Sequence, residues 1–151
     1  MKLTMMAALA SMVVGLTGCG GAMEPAAFDP ATEPCRFCRM TGSDGRTAAQ
    51  IVTPGDEPLF FDDIGCLLDY LRQTSSIPPD SGAFVADHRT RGWVRADEAI
   101  YTRHERLKTP MSSHVMAHAT AASRNGDAEA DGGSAISFAE LFKDTPLGER
   151  R

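Results

Sequence analysis

The run Met5–Leu16 is almost unbroken in apolar residues; it follows Met1-Lys2 and ends in Leu16-Thr17-Gly18-Cys19. A short positive start, an apolar stretch and small residues before a cleavage point form the order of a secretory signal. The stretch falls short of the roughly 20 residues a helix needs to cross a bilayer. The first eighteen residues are therefore expected to be removed, so the fold has to be built from Cys19–Arg151 in an oxidising compartment.

The Leu-Thr-Gly-Cys ending also resembles the bacterial lipoprotein processing box, in which the cysteine is lipidated and becomes the first mature residue. Acyl chains on Cys19 would each contribute about 0.8 kcal/mol per buried methylene to membrane attachment. Gly20 follows, not aspartate, which favours an outer-membrane destination and places the domain in the periplasm. Residues 20–34 are rich in Gly, Ala and Pro without apolar periodicity, as in a flexible tether. The expected division is signal 1–18, lipidated tether 19–34, domain 35–143 and tail 144–151.

With Cys19 lipidated, Cys35, Cys38 and Cys66 remain. An odd number cannot all pair within one chain, so this is no disulfide-stapled scaffold and cysteine reads as chemistry. Charge points the same way. Losing Lys2 from 15 basic residues against 20 acidic takes the net charge from −5 to −6. An acidic balance argues against nucleic acid and anionic lipid as partners.

Residues 47–53 read as a strand closed by Pro54-Gly55-Asp56, and 59–61 as its hairpin partner. Asp62 or Asp63 caps a helix over 64–72, where Ile64, Leu67, Leu68 and Leu71 make one apolar stripe. After a Pro78-Pro79 loop, 83–88 is a strand, giving β-β-α-β. The remainder suggests the same order again. Residues 93–95 are strand-like, 99–103 strand or helical turn, and 115–121 weakly strand-like. A short helix over 123–131 is interrupted by Asn125-Gly126, and a final helical turn spans 138–142. The fold class is α+β, two related β-β-α-β units in one domain.

The chemistry concentrates in Pro34-Cys-Arg-Phe-Cys-Arg-Met40. Two thiols and a thioether within six positions are soft donors, which prefer monovalent copper to hard cations. On an extended segment Cys38 and Met40 would share a face and hold Cu(I) in an open shell suited to transfer. Cys35 is either a third ligand or the partner of Cys38 in a redox disulfide. A thiol-disulfide oxidoreductase is thus the alternative, although such a motif expects a strand before it and a helix after it. A structural zinc site built from Cys35, Cys38, Cys66 and a histidine is a third possibility. Cys66 beside the helix stripe reads as core, Asp62 and Asp63 as capping groups, and Trp93 as a core anchor.

In its ordered motifs the chain resembles the NosL family, lipoproteins that act as copper chaperones in nitrous oxide reductase maturation. The matching elements are the lipobox cysteine, Cys35-Arg-Phe-Cys38-Arg-Met40, Phe61-Asp-Asp-Ile-Gly-Cys-Leu-Leu-Asp-Tyr-Leu71, Trp93-Val94, Thr109-Pro-Met111, and Gly132-Gly133 with Phe138-Ala-Glu-Leu141. The resemblance implies two β-β-α-β halves, Cu(I) binding and no catalysis. The implied partners are the enzyme's maturation machinery, a membrane transporter complex, or the reductase itself. Met111 and His114 could reach the copper from the second half, whereas Met116, His88, His104 and His118 read as structural or exposed. Two departures stand out. Arg39 occupies a position where the family usually has glycine, and Asn125-Gly126 interrupts the helix before the double glycine.

Overall fold

In the computed structural model, residues 23–41 and 43–143 are described; the signal, Cys19 and the 144–151 tail lie outside them. The first half comprises β1 (Ala49–Val52), β2 (Leu59–Phe61), α1 (Ile64–Gln73), β3 (Gly82–Ala86) and β4 (Trp93–Arg95). The second comprises β5 (Ile100–Arg103), β6 (Val115–His118), α2 (Ala121–Asn125), a 3-10 turn (Ala128–Ala130), β7 (Ser134–Ile136) and α3 (Phe138–Leu141). Two antiparallel sheets run β2-β1-β3-β4 and β6-β5-β7. In each, the first strand is central, with its hairpin partner on one side and the strand after the helix on the other. The fold is α+β, a β-β-α-β order used twice, with β4 added at the edge of the first sheet.

Local chemistry explains the best-formed element. Asp63 is extended and its Oδ1 accepts from the Gly65 N–H at 2.8 Å, satisfying a free donor at the start of α1. Ile64, Leu67, Leu68 and Leu71 then face inward and are buried, each worth about 1.5–3 kcal/mol of apolar transfer. They join Phe61 and Val85 of the first half with Tyr101, Val115, Leu141 and Phe142 of the second in one core. The Asp63 Oδ2 accepts from the Met111 N–H at 2.8 Å, so one side chain caps the helix and anchors the 109–113 loop. That loop crosses the first helical turn so closely that a Cβ on Gly65 would lie 2.8 Å from the Ser113 Cβ. Only glycine leaves the room.

Asp87 joins the halves. Its Oδ2 accepts from the Ala119 N–H and its Oδ1 from the Ser123 hydroxyl, both at 2.8 Å, while Oδ1 also accepts from the Arg89 and Thr90 N–H groups. Burial works to raise this carboxyl, but those donors outweigh it and hold it down at about 2. Beside it, the His88 N–H donates to the Ala117 carbonyl at 2.8 Å, next to a parallel bridge between Asp87 and Ala117.

Several expectations need correction. The strand expected to reach Ala121 stops at His118, because Thr120 turns out to cap α2 by accepting from the Ser123 N–H. The single helix expected over 123–131 is two pieces: Gly126 ends α2, and Asp127 starts a separate 3-10 turn. Trp93 is no core anchor but a half-buried residue on the edge strand, where Phe28 packs edge-on at 5.8 Å. The described part of the expected tether thus lies against the sheet; the Ala26 N–H also donates to the Gln50 Oε1 at 2.8 Å. Among the described residues, no helix is long and apolar enough to cross a membrane.

Candidate metal centre

Residues 35–40 are folded back on themselves. The Arg39 N–H donates to the Cys35 carbonyl at 3.0 Å, and the Cys35 N–H donates to the Met40 carbonyl at 2.8 Å. The Arg36 N–H donates to the Phe60 carbonyl at 2.7 Å, pinning this turn to β2. Closure requires a left-handed residue, and Arg39 supplies it with φ 67°. Glycine adopts that conformation freely, whereas other residues do so at a cost of roughly 1–2 kcal/mol. A glycine at this position would close the turn without that cost. The extended geometry assumed for Cys38 and Met40 does not occur, because the left-handed residue between them turns the chain.

The turn presents Cys35 and Cys38 to the segment between β2 and α1. There the Cys38 Sγ lies 3.4 Å from the Asp62 Oδ2 and 3.5 Å from Oδ1. Cys66, in the first turn of α1, faces the same point from below. One donor atom from each of Cys35, Cys38, Asp62 and Cys66 lies within 4.8 Å of the others. Cys35, Asp62 and Cys66 are buried, Cys38 is half-buried, and all three thiols are free.

Electrostatics divides the protons unequally. A hydrogen bond from the Cys66 thiol, helped by the Asp62 and Cys38 backbone N–H groups against the effect of burial, brings Cys35 down to about 4. The shift favours the thiolate form of that sulfur. Holding the Cys35 sulfur in a hydrogen bond, and being buried, pushes the Cys66 thiol far above its ordinary range. Burial, with the Cys35 charge beside it, raises Cys38 to about 11 and Asp62 to about 6. At neutral pH these shifts favour negative charge on Cys35 and Asp62 beside the neutral Cys38 and Cys66 thiols, and the three sulfurs are a soft-donor set that matches a soft monovalent cation.

Met40 and Met111 are each 44% exposed, the only large apolar side chains so exposed among the described residues. The ordinary role of methionine as buried filler is excluded for both. His114 is half-buried with its Nδ1 at 2.8 Å from the Leu107 carbonyl oxygen, and His104 Nε2 lies 3.0 Å from that of Asp131. Met116, His88 and His118 are buried. The fourth member of the thiol cluster is Asp62, where the zinc alternative expected a histidine. Nor does a helix open at Cys38, the setting an oxidoreductase motif requires; the chain runs through Met40 towards β1.

Asp62 reads in sequence only as a capping group, a role that Asp63 fills, and Cys66 as core, with a metal role only in the zinc alternative. The unpaired third cysteine was the signal that could have found Cys66. A family model described as NosL matches residues 25–146. No curated protein and no solved structure matches the chain.

Proposed function

This chain belongs to the NosL family, and on that premise we propose that it is a lipid-anchored periplasmic copper chaperone, not an enzyme. Cu(I) is its cargo, taken up by Cys35 and Cys38 with Cys66 and Asp62 in support, and passed on with the help of Met40 and Met111. Its destination is the copper sites of nitrous oxide reductase, reached directly or through a membrane transporter complex, from an anchor at Cys19 in the outer membrane. Family membership supports the copper-related role. The observation that carries the reading of the site is the convergence of three free thiols on one carboxylate.

The arrangement suits transfer. Copper entering at the Cys35 thiolate meets a neutralising charge without prior deprotonation, and further thiol ligation releases protons as the ion binds. Cys38 is the half-exposed edge of the cluster, and the two exposed thioethers are weak, neutral donors. A recipient's ligand can displace a thioether more readily than a thiolate, so exchange proceeds without any electron transfer.

Competition between the reduced mature protein and a bicinchoninate-type Cu(I) chelator tests the reading. One tightly held Cu(I) per chain, lost on Cys35→Ser with Cys38→Ser, is the expected result. No withdrawal of copper from the chelator would refute it. Delivery is tested by mixing the loaded protein with copper-free nitrous oxide reductase and following copper transfer.

A further inference from the structure

A second group of donors lies where the two halves meet. His88 follows β3, His118 ends β6 and Asp127 precedes the 3-10 turn, and all three are buried. The Asp127 Oδ2 is 2.7 Å from the His88 Nδ1 and 3.0 Å from the His118 Nε2. One donor atom from each residue lies within 4.8 Å of the other two. Beyond them, the Glu129 Oε2 is 3.3 Å from the His88 Nε2 and is also paired with Arg46.

Hydrogen bonding alone accounts for part of this. Asp127 also accepts from the Glu129 N–H through its Oδ1, and its bonds to both histidines outweigh burial and hold its carboxyl below the ordinary range. His118 is not explained so simply. Its buried Nδ1 has no partner among the described residues, so the ring is held only through the Nε2 that faces Asp127. His88 has the arrangement common in metal sites, one ring nitrogen towards the shared point and the other on an outer carboxylate. A cavity of about 220 Å³, lined by Asp44, Arg46, Thr47, His88, Lys108 and Pro110, brings His88 within reach from outside.

We propose that His88, His118 and Asp127 form a second metal site, separate from the thiol cluster, for a borderline divalent cation of the Zn²⁺ class. Two imidazoles and a carboxylate are the nitrogen–oxygen set that such ions favour, whereas monovalent copper favours the sulfur cluster. The ion is held by one ring nitrogen of each histidine and the Asp127 carboxylate, with Glu129 orienting His88. Because His88 comes from the first half and His118 and Asp127 from the second, a bound ion clamps the halves together.

The test is Zn²⁺ titration of the reduced mature chain, followed by the ring ¹⁵N resonances of its histidines. The proposal predicts that His88 and His118 shift while His104 and His114 do not, that the melting temperature rises, and that Asp127→Asn weakens this binding more than tenfold. If Asp127→Asn fails to fold, Glu129→Gln serves instead, since Glu129 is half-exposed; an approximately tenfold loss is expected. Zn²⁺ that perturbs only the surroundings of Cys35, Cys38 and Cys66, or only His104 and His114, would overturn the proposal. So would Asp127→Asn or Glu129→Gln binding Zn²⁺ as tightly as the wild type.

Discussion

The Cys38 thiol points at the Asp62 carboxylate, 3.4 Å away, across the gap between the cysteine turn and the start of α1. Twenty-four residues separate them in sequence. The contact makes the proposed copper site a property of the fold and not of the Cys-x-x-Cys segment alone, because Asp62 is placed by β2 and by the cap at Asp63. Cys66 arrives by the same route, through the first turn of α1.

One thiolate should be measurable in the reduced, metal-free protein at neutral pH. Its ultraviolet absorbance should persist as pH falls until about 4, and disappear in Cys35→Ser. The sign for stability follows from a lowered thiol: its contribution is full above 9.0 and is lost as pH falls through about 4. Asp62, raised from 3.8 to about 6, works oppositely, since its contribution is lost as pH rises through that range. The site's effect should therefore be nearly flat between about 4 and 6 and stabilising above 6. Denaturation across this range, compared with Cys35→Ser, checks the profile.

Arg39→Gly should stabilise the fold by up to about 1 kcal/mol, because glycine relieves a left-handed backbone while giving back part of the gain as unfolded-state entropy. Copper binding should be unchanged, since Arg39 contributes backbone and not a donor. Urea unfolding of the two proteins decides the matter; a loss of stability would mean the arginine side chain makes a needed contact.

Asp87→Ala should cost about 3 kcal/mol, for it removes the acceptor of four donors at the junction of the halves. With its carboxyl lowered from 3.8 to about 2, wild-type stability from this group is present above 3.8 and is lost as pH falls through about 2. Acid unfolding should lose about 2 kcal/mol of pH dependence in the variant.

Met40→Leu should leave stability within about 0.5 kcal/mol, because the side chain is largely in solvent. Copper hand-over to an acceptor chelator should slow several-fold while the number of ions bound stays the same. Stopped-flow transfer rates separate the two; an unchanged rate would remove Met40 from the pathway.

Much of the fold was legible in sequence, and the exceptions share a cause. The α1 stripe, the first hairpin and the repeated β-β-α-β order follow from periodicity and turn residues, which are local. Trp93 could not be placed, because its half-buried state depends on β4 being an edge and on Phe28 returning from the N-terminal side. The helix over 123–131 broke where Asn125-Gly126 warned it would. At the site, the residue types Cys35, Cys38 and Met40 were legible, but their geometry was not. Arg39 adopts a conformation that sequence alone does not assign to arginine, and it sends Cys38 towards Asp62. Asp62 and Cys66 depend on tertiary packing, and each had a plausible local role that concealed the other one.

Copper X-ray absorption on the Cu(I)-loaded mature protein, wild type beside Cys66→Ser and Cys35→Ser, tests the central claim most directly. A thiol cluster that holds the cargo predicts a shell dominated by sulfur in the wild type, one sulfur fewer in Cys66→Ser, and loss of tight binding in Cys35→Ser. A wild-type spectrum unaltered by both substitutions would place the copper elsewhere and contradict the account.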